Sequence, residues 1–234
     1  LGRYQIRDGH LTVDAGGSLA LVENSLLELA GGTLVINAGG TTTLAAHAVV
    51  RSTETFGWDI AIFGLLQGTD AQIQLRHNDS YNQTSGSGNS DLRVFAGGQL
   101  TLTGGSLTGG RYYFDSTSQV DLTNIELIRH DRDAHRYDKS PELIFYAGAI
   151  GTLTNCYGDW ELTIESDQVV ADTLTIDHIT LSAGATLRNS TLNYIELSGG
   201  SPVLTNNTFA DNAPIRLLDL NAVVVNVQEM LKRL

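Results

Sequence analysis

The chain has 234 residues, 41% of them hydrophobic, with 25 Gly, 3 Pro, one Cys and a formal net charge of -12. Its 14 basic residues, nearly all Arg, face 26 acidic ones, which excludes a nucleic-acid binder because phosphates demand a basic face. No run approaches the roughly 20 apolar residues of a membrane-spanning helix, and the acidic balance reads as the solvated surface of a secreted or salt-tolerant protein.

The chain opens at Leu1 rather than Met, with no leader signature, and is expected to be a mature or excised segment of something longer. A nine-residue phrase then recurs: LTVDAGGSL at 11–19, LVINAGGTT at 34–42, LRVFAGGQL at 92–100 and ITLSAGATL at 179–187. Leu11 with Val13, Leu34 with Ile36, and Leu92 with Val94 alternate with residues such as Thr12 and Arg93, the period-two pattern of a strand with one buried face. The small-residue triplet that follows turns the backbone, and a second short strand begins near Leu19, Leu44 or Leu100.

A second phrase places an aliphatic residue two positions before Asn, Gly or His, and an apolar residue three further on. It occurs at Leu102 to Gly104 with Leu107, Leu122 to Asn124 with Leu127, Ile176 to His178 with Leu181, Leu187 to Asn189 with Leu192, and Leu204 to Asn206 with Phe209. Leu153 to Asn155 fits its first half. Asn tolerates left-handed backbone, and its amide can bond an equivalent Asn on the next coil, so the phrase predicts a ladder of corners.

Two stretches break the pattern. The first, 77–91, is polar and carries Asn-x-Ser/Thr sequons at Asn78 and Asn82, candidates for glycosylation. Matches at Asn189 and Asn206 fall on the proposed ladder and are discounted. The second, 129–142, is the densest charged segment: His130 and His135 as bases, Asp131, Asp133 and Asp138 as carboxylates, and Arg129, Arg132 and Arg136 as anion binders. Cleaving a uronic polymer by elimination needs a neutralised carboxylate and a base, roles that Arg132, His130 and a calcium ion on Asp131 and Asp133 could fill.

Exposed rings near corners or insertions could stack on sugars: Phe56 with Trp58, Tyr112 with Tyr113, and Tyr157 with Trp160. Alternatively Tyr112, Tyr113 and Phe114 place successive rings inside and outside one strand. Cys156 reads as a small buried filler. Thr-Leu-Thr triplets at 101–103, 152–154 and 173–175 resemble the outward Thr ranks of ice-binding solenoids, but their spacing is irregular. From Ile215 the chain is apolar, ending in a segment of helical propensity that either caps the last coil or begins another.

The phrases TLRNSTL at 186–192 and GGSPVLTNNTF at 199–209 resemble the right-handed parallel β-helix repeat of pectate-lyase-like proteins, while the AGG phrases are similar to repeats of filamentous haemagglutinin and autotransporter passengers. The resemblance implies an all-β fold and an extracellular or cell-surface location, and identifies no activity, because lyases, hydrolases, adhesins and tailspikes share this coil.

The resulting expectation is one domain over 1–234, a right-handed parallel β-helix of about ten coils, each of roughly 22 residues, with two loop insertions. It would act as a surface or secreted scaffold for adhesion or glycan binding without catalysis, contacting a glycan or cell-surface partner through Arg129, His135, Arg136, Tyr112, Trp160 and Trp58. No cofactor or resident metal is called for. The alternative is a polysaccharide lyase or hydrolase, using His130, Arg132, Asp131 and Asp133 and, in the lyase case, calcium. An enzyme should show convergent carboxylates and a base lining a cleft on the long face of the coil.

Overall fold

A computed structural model describes residues 2–53, 58–75, 90–129, 141–210 and 214–217. The described residues form only strands, turns and bends, arranged in a 16-stranded and a 9-stranded sheet whose pairings are parallel. Successive strands of the chain do not pair with each other. Each pairs with its counterpart one coil away, as Leu19 does with Thr42 and Leu102 with Leu122, which is the defining register of a parallel β-helix.

Each coil crosses three faces. The first holds strands such as Trp58–Ile62, Asp91–Val94, Arg111–Phe114 and Glu142–Phe145. The nine-stranded sheet, from Ser18–Leu21 to Val203–Thr205, is the second face. The third holds Val49–Ser52, Gln72–Gln74, Ser106–Thr108, Glu126–Ile128 and Tyr157–Gly158. Leu26–Ile36 runs through the corner between the third and first faces, joining them as one sheet.

The recurring AGG phrase makes the corner between the first and second faces. Gly17 N donates to Asp14 O at 2.8 Å, Gly40 N to Asn37 O at 2.8 Å and Gly98 N to Phe95 O at 2.8 Å. The third residue of each turn, Gly16, Gly39 or Gly97, has φ of 75°, 79° or 78°, the geometry that glycine supplies without strain.

The second phrase makes the next corner, and its ladder is longer than the phrase suggests. Asn24, His47, Asp70, Gly104, Asn124, Asn155, Thr173, Asn189 and Asn206 all have left-handed φ, one for each strand of the nine-stranded sheet. The backbone amides of the first eight donate to the neighbouring coil, as Asn155 N does to Asp172 O at 3.0 Å. Asn155 Nδ2 donates to Asn124 Oδ1 at 2.7 Å and Asn206 Nδ2 to Asn189 Oδ1 at 3.4 Å. His178 is not a corner: it lies inside the strand Thr175–Leu181, and the ladder position of its coil is Thr173 at φ 57°.

The coils are unequal. Stacked partners stand 23 residues apart at Asp14 and Asn37, but 16 apart at Asp172 and Arg188 and 17 at Asn189 and Asn206. Shorter coils shrink the third corner, which Gly109 and Gly110 turn at φ 58° and 68°. At that same corner of other coils the described chain stops at Thr53, Leu75 and Arg129 and resumes at Trp58, Ser90 and Pro141.

Inward rows fill a continuous column. Leu92, Tyr112, Leu143, Leu162 and Ile179 stack in register, each no more than 1% exposed. Beside them Phe114 meets Phe145 with ring centroids 4.4 Å apart. A fully buried aliphatic side chain stabilises by about 1.5–3 kcal/mol, so the column supplies the main driving force.

Candidate functional site

The alternation that sends Leu92, Tyr112 and Leu143 inward sends their neighbours outward. On the first face this produces three successive rungs of half-buried side chains: Asp91, Arg93 and Phe95; Arg111, Tyr113 and Asp115; Glu142, Ile144 and Tyr146. Strand register aligns the first two columns, and the turn residues Phe95, Asp115 and Tyr146 make the third. The rung before them adds Phe63, 37% exposed.

Rings and charges interlock across the rungs. Phe63 stacks on Phe95 at 4.2 Å with planes 10° apart, and Tyr113 and Tyr146 lie nearly parallel at 6.1 Å. Arg93 Nε donates to both Asp115 oxygens at 2.9 Å, and its guanidinium sits 5.0 Å from the Phe95 ring centroid. Arg111 Nε is 3.3 Å from Glu142 Oε2, and Arg111 NH1 donates to the Tyr113 hydroxyl at 3.3 Å. The charged groups thus pack beside two parallel ring pairs, Phe63 with Phe95 and Tyr113 with Tyr146.

Under one edge of this grid lies a buried acid. Asp59 occupies an irregularity where Trp58 pairs with Asp91 and Ile60 with Leu92, and it is 3% exposed. Burial pushes its carboxyl up to about 6, against hydrogen bonds from Ser90 and Ser52, whose hydroxyls are themselves 2.9 Å apart. Asp59 Oδ2 and Asp91 Oδ1 have no hydrogen-bond partner among the described residues. Burial raises Asp91 to about 7; Arg111 opposes the shift, while Asp59 and Glu142 add to it. A neutral acid at Asp91 can donate a hydrogen bond or a proton on the exposed side of the grid.

The residues expected to bind ligand fare differently. Tyr112 is fully buried, its hydroxyl 3.4 Å from Thr108 O, and Trp160 is fully buried with Nε1 donating to Thr175 O at 3.0 Å. Both are core residues rather than ligand contacts, because strand alternation points them inward. Tyr113 is the outward ring of its strand. Arg129 is exposed and lies 3.6 Å from Asp159. His130, Asp131, Arg132, Asp133, His135, Arg136 and Asp138 lie outside the described residues, as do Asn78, Asn82 and the Trp58 side chain. Asp91 and Glu142, read as ends of insertions, instead begin strands.

Sequence reasoning missed Phe63, Phe95 and Tyr146. The signal was available, since each occupies the turn position that is Asp14 or Asn37 in earlier coils. The outward Thr ranks of the second face are interrupted, with Asp121 between Thr101 and Thr152. Among the described residues no cluster of His, Cys, Asp and Glu could hold a metal ion, and no helix is long and apolar enough to cross a membrane.

Fold and register define the chain as a parallel β-solenoid. No family model matches it and no curated protein matches it. Among solved structures, the TibC-catalysed hyper-glycosylated TibA fragment aligns over 95% of this chain and 93% of that one, at 11% identity and a TM-score of 0.27. The fold assignment rests on the strand register described above.

Proposed function

We propose that the chain is a secreted or cell-surface β-solenoid scaffold that binds a glycan through the grid on its first face, for adhesion and without catalysis. The observation that carries this reading is the row of outward rings on the first face, stacked as two parallel pairs, Phe63 with Phe95 and Tyr113 with Tyr146, and flanked by Arg93 paired with Asp115 and Arg111 paired with Glu142. Rings stacked in this way present a ribbon of apolar edges to the C–H surface of a sugar, and the flanking charges bond its hydroxyls. Because Arg93 is already held by Asp115 and Arg111 by Tyr113 and Glu142, these side chains lose little freedom on binding.

A glycan array tests this directly. The wild-type protein retains a defined set of glycans, and Tyr113→Ala weakens retention about tenfold, the effect of losing roughly 1.4 kcal/mol. An array with no retained glycan contradicts the reading, as does retention unaffected by Tyr113→Ala.

A second reading, cleavage of a polysaccharide on the same face, draws on Asp91, whose carboxyl is raised to about 7 beside Glu142. It requires turnover that Asp91→Asn abolishes, measured as new reducing ends or unsaturated products from a panel of polysaccharides.

A further inference from the structure

A second concavity lies at the corner between the second and third faces, away from the aromatic grid. Two outward rows run past it. One is the corner ladder, His47, Asp70, Gly104, Asn124. The other is the register row Gln72, Ser106, Glu126, Tyr157 on the third face. Both rows lose their side chains at the same coil: Gly104 and Gly105 have none, and Ser106 is small and only 8% exposed. The result is a groove of about 580 Å³, walled by Asp70 and Gln72 on one side and Asn124, Glu126 and Tyr157 on the other.

The notch is built into the backbone. Gly104 and Gly105 have φ of 71° and 83°, and a Cβ would strike Asp70 Oδ1 at the first and the Ala71 carbonyl at the second. At Gly105 a larger residue therefore cannot fill the groove without displacing the backbone of the neighbouring coil, and at Gly104 it would have to displace the Asp70 carboxylate. Its walls are accordingly fixed at a separation of two coil spacings, about 9.6 Å.

We infer that this notch is a binding site for one or two units of a neutral sugar. Its volume suits that size. No Lys or Arg lines it, and with two carboxylates on opposite walls a uronate, sulfate or phosphate is repelled. Hydroxyls of a neutral sugar donate to the Asp70 and Glu126 carboxylates and to the Asn124 and Gln72 amide oxygens, and the ring of Tyr157, a residue 45% exposed, covers an apolar sugar face. The site is independent of the first-face grid and shares no residue with it.

Saturation-transfer NMR on the whole chain tests this with glucose, galactose, mannose, N-acetylglucosamine and their β-linked disaccharides as probes, glucuronate as the charged control and calcium chloride as the cation control. At least one neutral sugar takes up saturation, glucuronate does not, and Glu126→Gln and Tyr157→Ala each weaken binding at least about fivefold. Binding by the notch persists in a Tyr113→Ala background, where the grid is weakened, which separates the two sites. Both notch variants replace exposed side chains, and unchanged melting curves establish that they fold. The inference is overturned if no neutral sugar binds, if either notch variant leaves binding unchanged, if Tyr113→Ala abolishes it, or if calcium displaces the sugar by occupying the carboxylates.

Discussion

Arg93 and Asp115, 22 residues apart in sequence, face each other on adjacent coils, with Arg93 Nε 2.9 Å from both carboxylate oxygens and NH2 2.8 Å from one. The pair is largely shielded, at 28% and 15% side-chain exposure, so it is more than a screened surface contact. Arg93→Ala removes the fork and the cation over Phe95, and the expected cost is about 1–2 kcal/mol in chemical denaturation. The same variant loosens the Phe63 and Phe95 stack, so glycan retention falls with stability.

The corner ladder predicts a graded series. Asn155 has φ 52° and donates to Asn124. Asn155→Ala loses that bond and the short polar side chain that makes a left-handed backbone tolerable, for about 1–2 kcal/mol in total. Asn155→Gly loses the bond but not the conformation and is expected to fall between Ala and wild type in thermal melting.

Asp59 makes stability depend on pH. Its folded pKa lies above its unfolded value, so the folded state holds a proton that the unfolded chain releases, and stability falls as pH rises from about 4 through about 6. Asp59→Asn keeps the neutral form at all pH values. It is expected to add about 2–3 kcal/mol above pH 7 and nothing below pH 4, read from denaturation midpoints across that range. Removing the Asp59 charge also lowers the Asp91 pKa, since the two repel.

Cys156 is fully buried, and burial pushes its thiol up to about 11. A thiol reagent at pH 8 is expected to leave it unmodified in the folded protein and to label it fully in denaturant. Rapid labelling of the folded chain would contradict the burial of that coil.

The architecture was legible because each corner has its own local chemistry. Glycine at the third position of the AGG turn and Asn at a left-handed corner can both be read from a few adjacent residues. His47 and Asp70 occupy the same corner with residue types that carry a weaker left-handed preference than Asn, and Thr173 with one that carries hardly any; these were missed. His178 satisfied the spacing while lying in a strand that runs through a bend. The grid was less legible because it depends on register between coils of unequal length. Asp91, Arg111 and Glu142 become neighbours only once the residues between them are assigned to a coil or to an insertion. Asp59 gave no local sign at all, since its burial follows from an irregularity in pairing.

The most direct test of the lateral-face account is hydroxyl-radical footprinting of the chain with and without a glycan retained on the array. The account predicts protection of Phe63, Phe95, Tyr113 and Tyr146, with the outward Thr101 and Thr152 of the second face unaffected. Protection confined to the second face, or no protection at the four rings, would contradict it.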